Sequence, residues 1–119
     1  MIDCPVCKGK LTLSKLKCGD CGIVMEGNFT LPRLARLPLE MRVLAEQMVL
    51  CGGNLKELAT EIGISYPTLR RKIDELIATI AKLKADDDNL IASILDGIDK
   101  GTIKSEEGIR RIREIQSEI

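Results

Sequence analysis

Two Cys-x-x-Cys pairs near the start of the chain constrain its fold more than any other feature. The segment CPVCKGKLTLSKLKCGDCG, residues 4–22, holds four cysteines in two pairs that are ten residues apart. Within each pair the two thiolates share one tight turn, and two such turns joined by a short hairpin arrange four sulfurs as a tetrahedron. The pattern predicts a structural Zn²⁺ site with the ligands Cys4, Cys7, Cys18 and Cys21.

Other uses of these cysteines stay open from the sequence alone. The four cysteines could form two disulfides, which requires an oxidising compartment. They could bind iron in a rubredoxin-like site, which uses similar turns. A redox-active Cys-x-x-Cys motif is a third use, but it needs only one pair, in a βαβ setting. Four protein ligands close a zinc site to water and substrate, so the predicted metal has a structural role. A module of about 30 residues buries too little apolar surface to fold alone, and metal binding is expected to supply the missing free energy.

The sequence of 119 residues predicts a small, multi-module and mainly α-helical protein. The expected modules are an N-terminal β zinc ribbon over residues 1–31, a linker over 32–38, a helix-turn-helix domain over 39–85 and a C-terminal helical hairpin over 86–119. Strands are expected over Lys10–Lys17 and Ile23–Leu31 because Leu, Thr, Ile and Val are frequent there. The acidic run Asp86–Asp88 is expected to begin the first hairpin helix, and Ser105 to begin the second.

The segment ATEIGISYPTLRRKI, residues 59–73, predicts the helix-turn-helix. Such a unit needs a small residue where its helices cross, a glycine at the turn, and apolar residues facing inward on the second helix. Ala59 and Gly63 fit the first two requirements, and Leu69 and Ile73 fit the third. The recognition helix is expected to begin at Tyr66 and to run to about Lys84.

Polar residues at the start of the recognition helix are the candidates for contact with DNA. They are Ser65, Tyr66, Thr68, Arg70, Arg71 and Lys72. Arginine can read guanine in the major groove, while lysine and hydroxyl groups bind phosphate or sugar. The alternative is a solvated face on which Arg70 pairs with Asp74, and Arg71 with Glu75, at i,i+4 spacing. In the connector, Arg33 and Arg36 are a possible DNA arm, unless the connector instead docks on the helical domain.

The motif GISYPTLRRKI resembles the recognition unit of the factor-for-inversion-stimulation type of bacterial helix-turn-helix, as does the preceding pair Gly53-Asn54. The order of ribbon, LPRLARL connector and GISYPT segment resembles a family of uncharacterised bacterial and archaeal proteins. This resemblance covers nearly all of residues 1–85 and implies a DNA-binding regulator. The tail segment ILDGIDKGTIKSEEG is similar to a short helical hairpin module appended to many prokaryotic proteins.

Composition limits the function classes. The chain has no histidine, which excludes histidine-based acid–base chemistry, and it has no glycine-rich phosphate loop. We therefore expect no enzymatic activity. Aromatic residues make up 2% of the chain, which disfavours recognition of single-stranded nucleic acid by stacking. With no apolar run long enough for a membrane span and no signal-peptide pattern, a soluble cytoplasmic protein is expected.

A homodimer is expected because a single helix-turn-helix rarely makes enough contacts for specific binding. The candidate packing stripe, either across a dimer or within the hairpin, is Leu76, Ile77, Ile80, Leu83, Ile94 and Ile98. Residues 86–119 carry five basic and nine acidic residues, so the tail is expected to bind a second subunit or a protein rather than DNA. The alternative function is an adaptor whose zinc ribbon or acidic tail binds a protein, such as part of the transcription machinery, without reading DNA.

Overall fold

The computed structural model describes residues 3–116. The predicted module boundaries at 1–31 and 86–119 extend over residues 1–2 and 117–119, which lie outside the described residues. The protein is mainly helical, with a small N-terminal sheet, as the sequence predicted. It divides into two compact units, of which one comprises residues 33–85 and the other combines the described parts of residues 1–32 and 86–119.

The N-terminal region is a two-stranded antiparallel sheet. Strand β1 (Leu13–Lys17) pairs with β2 (Val24–Phe29), and the register shifts between Leu13 and Lys15. Both strands are shorter than predicted, because the first cysteine turn contributes only an isolated bridge between Asp3 and Lys10. Every residue of β1 is exposed, and no residue between 3 and 32 is fully buried. The sheet therefore has no apolar core of its own.

The helical unit begins with a 3-10 helix (Arg33–Arg36), followed by α1 (Leu39–Leu50) and α2 (Leu55–Ile62). Helix α1 ends at Cys51, and Gly52 and Gly53 then adopt positive φ angles of 62° and 80°. Asn54 begins α2 by accepting a hydrogen bond from the Glu57 N–H at 3.2 Å, which is the usual role of asparagine at a helix N-cap. The buried core of the unit is formed by Leu37, Leu44, Leu58, Ala59, Leu69, Ile73 and Leu76.

Helix α3 runs without interruption from Tyr66 to Asp99, a length of 34 residues. The prediction that a new helix begins at Asp86–Asp88 is therefore wrong. No glycine or proline lies near this point to break the helix, and the preference of acidic residues for a helix start is too weak to do so. Asp87 is 6% exposed and has an interaction partner within the chain.

The apolar stripe of α3 is divided between the two compact units. Leu76 is buried in the core of the helical unit, and Ile80 and Leu83 pack against that core. Ile77 lies off this stripe and is 52% exposed. These leucine and isoleucine side chains thus find most of their packing partners within a single chain.

Helix α4 (Ser105–Ile115) returns along the end of α3 to complete a helical hairpin, and it begins at the predicted serine. The turn contains Gly101 with a φ of 77°, and the Gly97 carbonyl accepts hydrogen bonds from the N–H groups of Thr102 and Ile103 at 2.9 and 3.1 Å. A Cβ atom at Gly108 would overlap the side chain of Ile98. The two helices therefore approach closely at a position where only glycine fits.

None of the helices described here combines the length and the apolar character required to cross a bilayer.

Candidate metal and nucleic-acid sites

The first cysteine pair lies on a tight turn closed by two backbone hydrogen bonds. The Cys4 N–H donates to the Gly9 carbonyl at 2.7 Å, and the Lys8 N–H donates to the Cys4 carbonyl at 2.9 Å. Lys8 has a φ of 62° and is the only residue other than glycine with a positive φ in the described part of the chain. This unusual backbone conformation turns the chain directly after Cys7, so that the Gly9 carbonyl meets the Cys4 N–H.

The second cysteine pair repeats the same geometry fourteen residues later. The Cys18 N–H donates to the Ile23 carbonyl at 2.9 Å, and the Gly22 N–H donates to the Cys18 carbonyl at 3.1 Å. Gly22 occupies the position of Lys8 and has a φ of 78°. The two turns are thus local copies of each other, although they share little sequence apart from the cysteines.

Backbone N–H groups point at the sulfurs in both turns. The Val6 N–H lies 3.4 Å from the Cys4 Sγ, and the Cys21 N–H lies 3.5 Å from the Cys18 Sγ. The pKa of Cys4 is lowered below its ordinary value, mainly by a hydrogen bond from the Cys7 backbone N–H. The pKa of Cys18 is lowered in the same way, mainly by the Cys21 backbone N–H. Because the thiolate is the form that binds metal, these turns favour the metal-binding state of the cysteines.

Four cysteine sulfurs on two similar turns suit a metal ion bound by four thiolates. The region also lacks an apolar core, so a metal ion would supply the stability that side-chain burial does not. All five cysteines are free thiols, so the two disulfides considered from the sequence are not present. Within residues 3–116, no three or more His, Cys, Asp or Glu side chains are grouped closely enough to hold a metal ion. Each cysteine pair is therefore shaped as a half-site, and the four residues that would complete one zinc site are Cys4, Cys7, Cys18 and Cys21.

The turn between α2 and α3 has the features predicted for a helix-turn-helix. Gly63 ends α2 in the left-handed conformation with a φ of 83°. The N–H groups of Gly63 and Ile64 both donate to the Ala59 carbonyl, at 2.9 and 3.1 Å. Ala59 is 5% exposed, and this small side chain lets the following helix pack closely over α2. The turn thereby fixes where the first residues of α3 are presented.

Ser65 caps the start of α3. Its Oγ accepts a hydrogen bond from the Thr68 N–H at 3.3 Å and lies 2.8 Å from the Thr68 hydroxyl. Pro67 has no N–H, so the Tyr66 N–H is the one amide of residues 66–68 left for an outside acceptor. The hydroxyls of Ser65 and Thr68 already bond to each other, which makes them fixed elements of the helix start rather than freely placed contacts.

The three basic residues near the start of α3 are exposed but have different surroundings. Arg71 is exposed and lies two residues from each of the buried Leu69 and Ile73, so its side chain lies outside the core. Arg70 forms an ion pair with Asp74 at 3.2 Å, with both side chains at least half exposed. The i,i+4 pair considered for Arg71 and Glu75 is not present among the described side chains. Arg71 and Lys72 therefore carry charge that no described ion pair occupies, whereas Arg70 is already paired.

A cavity of about 240 Å³ lies beside these basic residues. Arg71, Lys72 and Glu75 line it from α3, while Glu40 and Gln47 line it from α1. Sequence reasoning missed this arrangement because residues 40 and 72 are brought together only by the packing of α1 against α3, for which the chain carries no local signal.

The connector docks on the helical unit through one of its two leucines. Leu37 is fully buried in the core, whereas Leu34 is 56% exposed. Arg33 and Arg36 lie on the 3-10 helix, and each has an interaction partner within the chain. These two arginines are thus held on an ordered segment and not on an extended arm.

Two family profiles match the chain. The profile described as the DUF2089 zinc ribbon matches residues 4–35, and the one described as the domain of unknown function (DUF2089)-HTH matches residues 37–83. The chain belongs to the DUF2089 family. The matches confirm the predicted order of a zinc ribbon followed by a helix-turn-helix. No curated protein and no solved structure matches this chain.

The DUF2089 helix-turn-helix profile begins at residue 37, the connector leucine that is fully buried in the core. The zinc ribbon profile ends at residue 35, within the 3-10 helix. Leu37 therefore belongs to the helical region by both its burial and the profile match. The sequence alone placed it in the linker.

Proposed function

We propose that the protein is a cytoplasmic, homodimeric transcription regulator that binds double-stranded DNA with sequence specificity through the start of α3. The observation that carries this proposal is the exposed basic surface formed by Arg70, Arg71 and Lys72, directly after the turn at Gly63. In helix-turn-helix proteins the N-terminal part of the second helix enters the major groove. The same part of α3 holds the basic residues here.

The charge distribution along α3 supports contact through its first turns. Arg71 is exposed and makes no ion pair with another described residue, so no ion pair in this part of the chain must be broken before it meets DNA. Asp74 and Glu75 follow directly, and both are exposed. Carboxylates repel phosphate, so the surface offered to DNA ends near Lys72.

Specific roles follow from chemistry and position. Arg70 is oriented by Asp74 at 3.2 Å, which suits the fixed bidentate geometry needed to read a guanine. Arg71 and Lys72 carry flexible charge for phosphates. Tyr66 is 45% exposed at the first turn, and its hydroxyl and backbone N–H are donors suited to a phosphate. Arg33 and Arg36 add positive charge on the connector.

The four cysteines are proposed to bind one structural Zn²⁺ and to take no part in a reaction. Four thiolates leave no open coordination position, so the site folds the ribbon and does not activate a substrate. No catalytic role is proposed for any other group of this chain.

Fluorescence anisotropy tests the proposal directly. The zinc-loaded protein is titrated against labelled duplexes of random and defined sequence at several salt concentrations. We expect binding that weakens steeply with salt and falls by at least about tenfold in the double variant Arg70→Ala, Arg71→Ala. The matched control is Arg110→Ala, Arg111→Ala on α4, which removes the same charge elsewhere. Equal losses in both variants, or no binding at low salt, would contradict the proposal.

A second candidate, an adaptor that binds protein, is favoured by one observation on the ribbon. Val6 is 91% exposed and Ile23 is 63% exposed, and both lie next to the cysteine turns. Exposed apolar side chains at this density are typical of a surface that contacts another protein. If the wild type fails to bind duplex DNA at low salt while the ribbon is folded, the adaptor becomes the better account.

A further inference from the structure

Helix α1 has a second apolar face that its own core does not use. Met41, Leu44 and Met48 pack inward, whereas Val49 is 78% exposed and Leu50 is 79% exposed. The outer face borders a groove of about 600 Å³ between α1 and the 3-10 helix. The residues lining the groove are Leu34, Ala35, Leu37, Arg42, Ala45, Glu46, Val49 and Leu50.

Two opposite charges lie in the middle of this groove and do not pair with each other. Arg42 and Glu46 are one helical turn apart, and neither forms an ion pair with any residue that the structure describes. The Nε atom of Arg42 is buried and has no hydrogen-bond partner in the described chain. Arginine placed before glutamate at i,i+4 is also the less favourable order for a pair within one helix.

We propose that the groove is a homodimer interface, in which α1 of one copy packs antiparallel against α1 of a second copy. A two-fold axis near the middle of α1 places Arg42 of each copy opposite Glu46 of the other. Two ion pairs then form across the interface, between side chains that have no ion-pair partner among the described residues. The small side chain of Ala45, next to the axis, lets the two helices approach closely.

The same register also pairs the apolar ends of the helix. If residue 42 lies opposite residue 46, then residue 39 lies opposite residue 49. Leu39 is 67% exposed and Val49 is 78% exposed, so both gain burial from this arrangement. Because α1 comprises Leu39–Leu50, the axis falls at the centre of the helix and the overlap extends along its whole length.

A second copy fits this face better than a foreign partner because the face is complementary to itself. It carries one cation and one carboxylate, with apolar side chains on both sides of them. A two-fold axis places the cation of each copy opposite the carboxylate of the other. DNA is disfavoured because the groove has no excess of positive charge. The α3 residues Leu76, Ile80 and Leu83 are already packed within the helical unit, so they do not provide the dimer surface. The inference rests on the homodimer of the proposed function and specifies its surface, but it does not depend on DNA binding.

Charge reversal on the full-length, zinc-loaded protein tests the interface by sedimentation equilibrium. Arg42→Glu gives two carboxylates per copy, and Glu46→Arg gives two cations, so each single variant sets like charges against each other. We expect each to raise the dimer dissociation constant by at least about tenfold. An equimolar mixture of the two variants, and the double variant Arg42→Glu, Glu46→Arg, should both restore the dimer. Lys82→Glu on the exposed side of α3 is the matched control and should leave the dimer unchanged.

Circular dichroism confirms that each variant is folded before its mass is measured. A wild type that is monomeric at tens of micromolar would overturn the inference, as would a dimer that tolerates both single reversals. A mixture of the two variants that stays monomeric would overturn the antiparallel register. DNA binding is measured separately by anisotropy, so a failure of the dimer and a failure of the proposed function give different results.

Discussion

The ribbon and the helical unit are stabilised by opposite means. Residues 33–85 bury seven apolar side chains in a contiguous core, whereas residues 3–32 bury none completely. The ribbon instead has two cysteine turns whose backbone N–H groups point at the sulfurs. Apolar burial therefore accounts for the folding of the helical unit, while the ribbon needs a stabilising agent from outside its own side chains.

Removal of the metal is expected to have the largest effect, because it should unfold the ribbon and leave the helical unit folded. In small peptides structural zinc contributes on the order of 10–16 kcal/mol of apparent binding free energy at neutral pH. Chelation should therefore collapse the amide dispersion of residues 3–32 in a ¹⁵N–¹H NMR spectrum, while residues 39–83 keep theirs. Cys4→Ser should act like the chelator, and Cys51→Ser is its control. A ribbon that stays dispersed after chelation would remove zinc from the account.

A leucine-to-alanine substitution in each region should give the next largest contrast. Leu69 is fully buried and Leu16 is 36% exposed. We expect Leu69→Ala to lower the free energy of unfolding of the helical unit by about 2–5 kcal/mol, because it leaves a cavity in the core. The change for Leu16→Ala should stay within about 0.5–1 kcal/mol. Denaturant titration followed by far-ultraviolet circular dichroism measures both, and equal effects would contradict a core confined to the helical unit.

Some of this contrast was visible in the sequence and some was not. The cysteine spacing, the Asn54 cap and the Gly63 turn are local signals, because each is a short-range hydrogen-bonding or backbone requirement. The continuity of α3 through Asp87 was not visible, because acidic residues prefer helix starts only weakly and are also common within helices. The groove around Arg42 and the cavity that joins Glu40 to Lys72 depend on packing between distant residues, and no local pattern encodes them.

The cap of the recognition helix should have a moderate effect. The Ser65 Oγ accepts the Thr68 N–H at 3.3 Å, so Ser65→Ala is expected to lower the free energy of unfolding by about 1 kcal/mol. Ser105→Ala is the matched control, because α4 begins without a side-chain cap bond and the change should be within about 0.5 kcal/mol. Thermal unfolding of the two variants checks this, and a larger effect for Ser105 would contradict the assigned caps.

The smallest expected effect is a difference in the alkylation rates of cysteines in the ribbon and in the helical unit. The Cys51 thiol donates to the Glu61 carboxylate at 3.1 Å, and this hydrogen bond is the main cause that raises the pKa of Cys51 above its ordinary value. The turn that lowers the pKa of Cys4 belongs to the folded ribbon, and Cys4 is freely accessible once the ribbon loses its metal. Because the thiolate reacts and Cys51 stays in the folded helical unit with a raised pKa, metal-free protein at mildly alkaline pH should be alkylated faster at Cys4 than at Cys51.

The substitution Glu61→Gln provides the control for this order. It removes the carboxylate that favours the protonated thiol, so the pKa of Cys51 should fall and its alkylation should become faster, while Cys4 is unchanged. Peptide mapping by mass spectrometry gives both rates. Alkylation of Cys51 that is faster than that of Cys4 in the unsubstituted protein would contradict the assigned hydrogen bonds.

The most direct test of the central claim is to map the DNA contact residue by residue with an NMR titration of the zinc-loaded protein against a short duplex at low salt. The account predicts that the largest amide shift changes lie between Ser65 and Lys72, with the ribbon over residues 3–32 nearly unaffected. Shift changes concentrated in the ribbon or in α4, or no changes at all, would contradict the assignment of α3 as the DNA-binding helix.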